Sequence, residues 1–169
     1  MIQLFLCGGT IDKTYFPDRE VFDFSETHIH QMMDQARIFG LELEITELLQ
    51  KDSMEMTNED RKIILENCIA SEAKRILIMH GTSTMTETAE YIQKNMPEDK
   101  TIVFVGSLLP YELAKSDALF NFGAAVSAVQ ILPAGSYITM NGKIWRAGEV
   151  TKDVKNAVFV KKTKALLSQ

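Results

Sequence analysis

Five short apolar runs, at residues 3–7, 42–48, 75–80, 101–105 and 136–140, recur along the 169-residue chain with helical patterns between them, and this alternation constrains the fold more than any other feature. The segments QLFLC, RILIMH and TIVFV are mostly continuous apolar runs instead of apolar–polar alternations, so they are read as strands covered on both faces. Residues 27–39 carry Ile29, Met32, Met33, Ala36 and Phe39 on one helical side and stop at Gly40. Thr57, with Asp60 three residues on, reads as the cap of a helix over 58–71, and residues 84–95 and 117–130 supply two more. Strands alternating with helices of this length imply βαβ units. The expected fold is α/β, a three-layer αβα sandwich around a mainly parallel sheet, formed as one domain over residues 1–169.

In such sheets ligands bind beyond the C-terminal ends of the strands. Gly8-Gly9-Thr10, Asp52-Ser53, residues 80–84 and Gly106-Ser107 all follow predicted strands and should meet there. The richest of them is HGTSTMTET, with five hydroxyls at Thr82, Ser83, Thr84, Thr86 and Thr88 on or just after a glycine turn. A strand, a tight turn and a helix start in succession expose unpaired N–H groups that favour an anion or a developing oxyanion. One hydroxyl is structural: Thr84 or Ser83 reads as the helix cap, with Glu87 completing a capping box from Thr84. A catalytic threonine needs a neighbouring base or cation, because its hydroxyl is a poor nucleophile at neutral pH. Lys152 follows the hairpin turn Asn141-Gly142 and can reach the same sheet edge.

Other chemistries find less support. Gly8-Gly9-Thr10-Ile11 is not the spaced glycine pattern of a dinucleotide site. With only His28, His30 and His80 and no cysteine pair beside them, no metal or other cofactor is expected, and His80 reads as a satisfied histidine at a strand end. The net charge of −5 argues against nucleic acid or an anionic membrane and for a small polar or zwitterionic ligand. The N-terminal run lacks the basic flank and length of a signal peptide, and Cys7 and Cys68 read as buried free thiols suited to a reducing cytoplasm. Residues 12–23, with Pro17, read as a mobile loop or small hairpin. The apolar segment 157–160 suits either an interface or the core.

GGTI, KDSMEMT, HGTSTMTETA, VGSLLP, SDALFN and GEVTK follow one another in the order and spacing of the N-terminal domain of bacterial-type L-asparaginases, and the chain resembles that family over nearly its whole length. The resemblance implies an amidohydrolase acting on asparagine or a related small amide through an acyl-threonine. Thr10 resembles the nucleophile, Thr82 the second catalytic threonine and Lys152 the lysine paired with it. Tyr15 is the nearby candidate for the tyrosine that the family carries on a mobile loop. Gly9, Ser53, Gly81 and Ser83 would line the substrate, with Ser53 holding its α-carboxylate. The family forms homodimers and homotetramers, so a homo-oligomer is expected.

Two departures qualify the resemblance. The family's HGTDTM carries an aspartate where this chain has Ser83. That aspartate orients the lysine and pairs with the substrate α-amino group, and a hydroxyl in its place forgoes a charge-assisted hydrogen bond worth about 1.5–3 kcal/mol. The family's C-terminal domain is also expected to be absent. Two further readings follow: a catalytically degenerate amino-acid-binding or regulatory module, and a subunit of a tRNA-dependent amidotransferase.

Overall fold

The computed structural model describes residues 1–163. In chain order its elements are β1 (Ile2–Gly8), β2 (Lys13–Phe16), β3 (Val21–Phe24), α1 (Ile29–Gln35), β4 (Leu43–Lys51), α2 (Asn58–Ala70), β5 (Arg75–Met79), α3 (Met85–Asn95), β6 (Thr101–Val105), α4 (Ala118–Ile131), β7 (Gly135–Met140), β8 (Lys143–Arg146), β9 (Val150–Asp153) and β10 (Val158–Lys161). Six strands form one sheet in the order β4-β1-β5-β6-β7-β8, parallel except for the β7–β8 hairpin. Asn141 and Gly142, both with positive φ (55° and 71°), turn that hairpin tightly, as the Asn-Gly pair predicts.

The apolar runs are continuous because successive residues enter different layers. Phe5, Ile76, Ile78, Ile102, Phe104 and Ile138 face α2 and α3, packing on Ile64, Cys68, Met85 and Ile92. Their neighbours Leu4, Leu6, Leu77, Met79, Val103 and Val105 face α1 and α4, packing on Ile29, Met32, Phe122 and Val129. Each fully buried Phe or Leu contributes about 1.5–3 kcal/mol by leaving water, so the three-layer arrangement follows from the strand composition. Cys7 and Cys68 are free and buried, and burial pushes the Cys68 thiol up to about 12 and the Cys7 thiol higher still. None of the helices among the described residues is long and apolar enough to cross a membrane.

The differences from the sequence expectations are local. The first helix spans only Ile29–Gln35: Arg37 takes a positive φ of 54°, which ends it, and Phe39 is exposed instead of joining the core. β4 begins one residue later and runs three residues further than its apolar run, and β5 ends at Met79, one residue before His80. Thr57 forms the expected capping box with Asp60. Thr84 does not form one with Glu87: its hydroxyl donates to the Ser53 carbonyl at 2.6 Å, and Glu87 pairs instead with Arg61 at 3.1 Å. Residues 158–161 form β10, and Phe159 from the apolar segment packs into the core.

Candidate active site

β1 has β4 on one side and β5 on the other, so the chain leaves β1 toward one edge and returns across it toward the other. Such a reversal marks the C-terminal ends of β1 and β5 as the place where α/β sheets receive ligands. The two glycine turns lie at that point. Gly9, at φ +93°, approaches the second turn so closely that a Cβ on it would stand 2.4 Å from Gly81 N and 2.5 Å from Gly81 Cα. A Cβ on Gly81 would in turn stand 2.7 Å from Ser53 Oγ, and one on Gly106 would stand 2.4 Å from the His80 carbonyl oxygen. Side-chain-free contacts thus bring the ends of β1, β4, β5 and β6 together, and any larger residue would force backbone apart.

Thr10 starts a short 3-10 turn, Thr10–Asp12, and is partly exposed. Thr82 is buried beside Gly81, and its Oγ1 accepts a 2.7 Å hydrogen bond from Lys152 Nζ. Lys152 arrives from β9, seventy residues away in sequence, and partial burial alone holds its pKa below the ordinary lysine value. Among the described residues no carboxylate pairs with it. Ser53 Oγ accepts from the backbone N–H groups of Ser83 (3.0 Å) and Thr84 (3.4 Å), leaving its own O–H able to donate. Ser83 itself is exposed.

Tyr15 lies on the β2–β3 hairpin, is 46% exposed and leans its ring on Phe22 at a centroid distance of 5.2 Å. Its backbone N–H donates to Glu112 Oε2 at 3.3 Å, and none of its described contacts reaches Thr82, Lys152 or Ser53. Gly9, Gly81, Ser53, Ser83, Thr82 and Lys152 thus form one linked contact set, which Thr10 adjoins as the chain neighbour of Gly9 and from which Tyr15 is absent.

Several residues near the site carry no local signal in the sequence. Lys13 pairs with Asp52 at 2.7 Å, tying the hairpin to the residue before Ser53. Glu112, in the β6–α4 loop, contacts Thr14, Tyr15 and His28, and borders a hollow of about 340 Å³ with Gln35, Tyr111 and Ser116. Buried His28 stands in line between Asp12 and Glu112, with a carboxylate at each ring nitrogen instead of several groups around a common point. Among the described residues no group of three or more acidic, histidine or cysteine side chains is arranged to hold a metal ion.

His80 is fully buried, and only one of its nitrogens is satisfied: Nδ1 lies 2.8 Å from the Gly81 carbonyl oxygen, while Nε2 has no hydrogen-bond partner among the described residues. Burial lowers its pKa from 6.5 to about 4. Because the folded value is the lower one, the unfolded chain binds the proton first, so stability is lost as pH falls from about 6.5 to about 4. The expected loss is about 3 kcal/mol across that window. In urea titrations at stepped pH, His80→Asn should flatten that acid limb, whatever it does to stability at neutral pH.

Comparison with known proteins gives a consistent result. The family described as "Asparaginase, N-terminal" matches residues 1–160. A glutaminase-asparaginase from Acinetobacter glutaminasificans is 27% identical over 153 residues, covering 87% of this chain and 45% of the relative. L-asparaginase 2 of Bacillus subtilis is 32% identical over 106 residues, covering 57% of this chain and 28% of the relative. The solved structure of the thermostable L-asparaginase from Thermococcus kodakarensis superposes with a TM-score of 0.82 at 28% identity, covering 95% of this chain and 51% of that one. The chain spans less than half the length of these curated relatives and about half that of the solved structure.

Proposed function

Because the chain belongs to the asparaginase family through that family's N-terminal domain, we propose that it is an amidohydrolase cleaving the side-chain amide of asparagine or a related small amide, with Thr10 as nucleophile. The observation that carries the reading is the 2.7 Å bond from Lys152 Nζ to Thr82 Oγ1. A buried hydroxyl held by a partly buried lysine, beside a glycine turn that meets the glycine preceding Thr10, is the apparatus an acyl transfer needs.

In this reading Thr10 Oγ attacks the amide carbon and the C–N bond breaks, releasing ammonia and leaving an acyl-threonine that water then hydrolyses. Lys152 in its neutral form takes the Thr82 proton, so that Thr82 can accept one from the nucleophile or from water. Partial burial favours that neutral form, since it disfavours the ammonium. Activity should therefore climb with pH as Lys152 deprotonates, at a lower pH than a solvated lysine would give. Ser53 donates to a substrate carboxylate while its oxygen holds the Ser83 and Thr84 amides. In this reading Tyr15 acts from the hairpin beside the Thr10 turn, outside the contacts that link Ser53, Thr82 and Lys152.

Ser83 shapes the substrate preference. Without an acid at this position, an amide lacking a free α-amino group loses less binding than asparagine does. Ammonia release from asparagine and from N-blocked or deaminated analogues tests this, with Ser83→Asp expected to raise asparagine turnover about tenfold or more. Release from none of these amides would defeat the enzyme reading. Calorimetric binding of aspartate or asparagine without turnover, in wild type and Ser83→Asp alike, would favour a degenerate binding module. The proposal includes a cytoplasmic homodimer or homotetramer, which sedimentation and fractionation test.

A further inference from the structure

Among the described residues the β2–β3 hairpin pairs with itself alone, and a two-stranded ribbon of four-residue strands does not hold its own position in water. Its placement depends on side chains reaching it from elsewhere. Lys13–Asp52 ties one strand, and Gln50 Nε2 donates to the Ser25 carbonyl at 2.9 Å just beyond the other. Among the described residues, Thr14 Oγ1 also lies 3.3 Å from His28 Nε2, and the other ties converge on Glu112. Its Oε2 accepts from Tyr15 N at 3.3 Å; its Oε1 accepts from Thr14 Oγ1 at 3.3 Å and lies 3.2 Å from His28 Nε2. Behind it, His28 is 5% exposed, with its backbone N–H donating to Asp12 Oδ1 at 2.8 Å and its Nδ1 3.5 Å from the same oxygen. The loop carrying Glu112 is pinned in turn to the Thr10 turn, where Tyr111 N donates to the Ile11 carbonyl at 3.2 Å.

We propose that Glu112 is a positioning residue: through Thr14, the Tyr15 backbone and His28 it holds the hairpin, and with it Tyr15, in register with the Thr10 turn. The inference rests on the amidohydrolase reading. One carboxylate is bonded to two successive residues of β2 and also to the buried histidine behind them. Its side chain keeps about a third of its surface in water (38%), so its hold on the hairpin is one that the hairpin can leave and regain. Glu112 does not contact Thr82 or Lys152 among the described bonds, so its effect on turnover passes through the hairpin.

The test combines hydrogen exchange with turnover in wild type, Glu112→Ala and Glu112→Gln. In Glu112→Ala the peptide over residues 13–24 should exchange about tenfold faster or more, with β5 and β6 as protected as before. Its kcat should fall about tenfold or more with KM little changed, because the reacting geometry and not the substrate contact is lost. Glu112→Gln, whose amide oxygen can still accept from Tyr15 N, should recover part of both. Unchanged hairpin exchange in Glu112→Ala overturns the inference, and so does faster exchange with unaltered kcat. Wild-type turnover separately tests the amidohydrolase reading: an inactive wild type defeats that reading and the effect of Glu112 on turnover with it, while the exchange data still decide whether Glu112 holds the hairpin.

Discussion

Thr10→Ala is expected to lower kcat for amide hydrolysis by at least about 10⁴-fold while leaving the fold intact, since removal of a covalent nucleophile collapses the path that depends on it. The side chain is partly exposed at the start of a 3-10 turn, so trimming it to alanine opens no core cavity. Substrate or product should still bind, because the Ser53 hydroxyl and the backbone of the glycine turns are untouched. Circular dichroism, calorimetric titration with aspartate and an ammonia assay on the same sample separate these effects. Turnover within tenfold of wild type would show that another group attacks the amide.

The second large effect concerns the Thr82–Lys152 pair. Lys152→Met keeps an apolar stem of similar reach and removes the amine, and Thr82→Val keeps the shape and removes the hydroxyl that accepts the 2.7 Å bond. Each is expected to reduce kcat by about 10²–10⁴-fold, the range of a positioned proton-transfer group. The double variant should be little worse than the poorer single one, because two groups that act as a unit are not additive. Lys152→Met should also lose the alkaline rise in activity, since the group whose deprotonation drives it is gone. If the two losses multiply in the double variant, Thr82 and Lys152 act independently.

The layers of the fold were legible because strand residues such as Leu4 and Phe5, or Leu77 and Ile78, are buried in opposite cores and both have to be apolar. Helix ends were less legible. Nothing local in residues 27–39 says that Arg37 will take a left-handed conformation, and the Thr84 hydroxyl was claimed by the Ser53 carbonyl 31 residues away instead of by its own helix. The glycines at 9 and 81 were readable as turns, but that they touch each other, and so bring two loops together, is a tertiary fact. Lys152 was readable by motif resemblance, and its bond to Thr82 follows from β9 crossing back to the sheet end. Glu112, in Pro110-Tyr111-Glu112-Leu113, resembles any surface glutamate until the hairpin folds against it.

Ser83 is where the family's pattern and this chain part, and the structure gives the difference physical content. Ser83 is exposed, its backbone N–H is committed to Ser53, and no described carboxylate pairs with Lys152. The ammonium therefore has burial pushing its pKa down and no anion holding it up. A lysine in that state spends more of its time neutral and able to accept a proton. The proposed preference for amides without a free α-amino group rests on the same replacement, since a hydroxyl at position 83 offers an α-ammonium no carboxylate.

The most direct test of the central claim is to trap the covalent intermediate. Wild-type protein mixed with a cleavable amide and quenched in acid within the first turnovers should carry an added acyl mass, and peptide mapping should place it on Thr10 of the segment Gly8-Gly9-Thr10-Ile11. The adduct should be missing from Thr10→Ala and should accumulate in Lys152→Met wherever deacylation is the slower step. An adduct on Thr82, or sustained ammonia release with no adduct at any residue, would contradict the assignment of Thr10 as nucleophile.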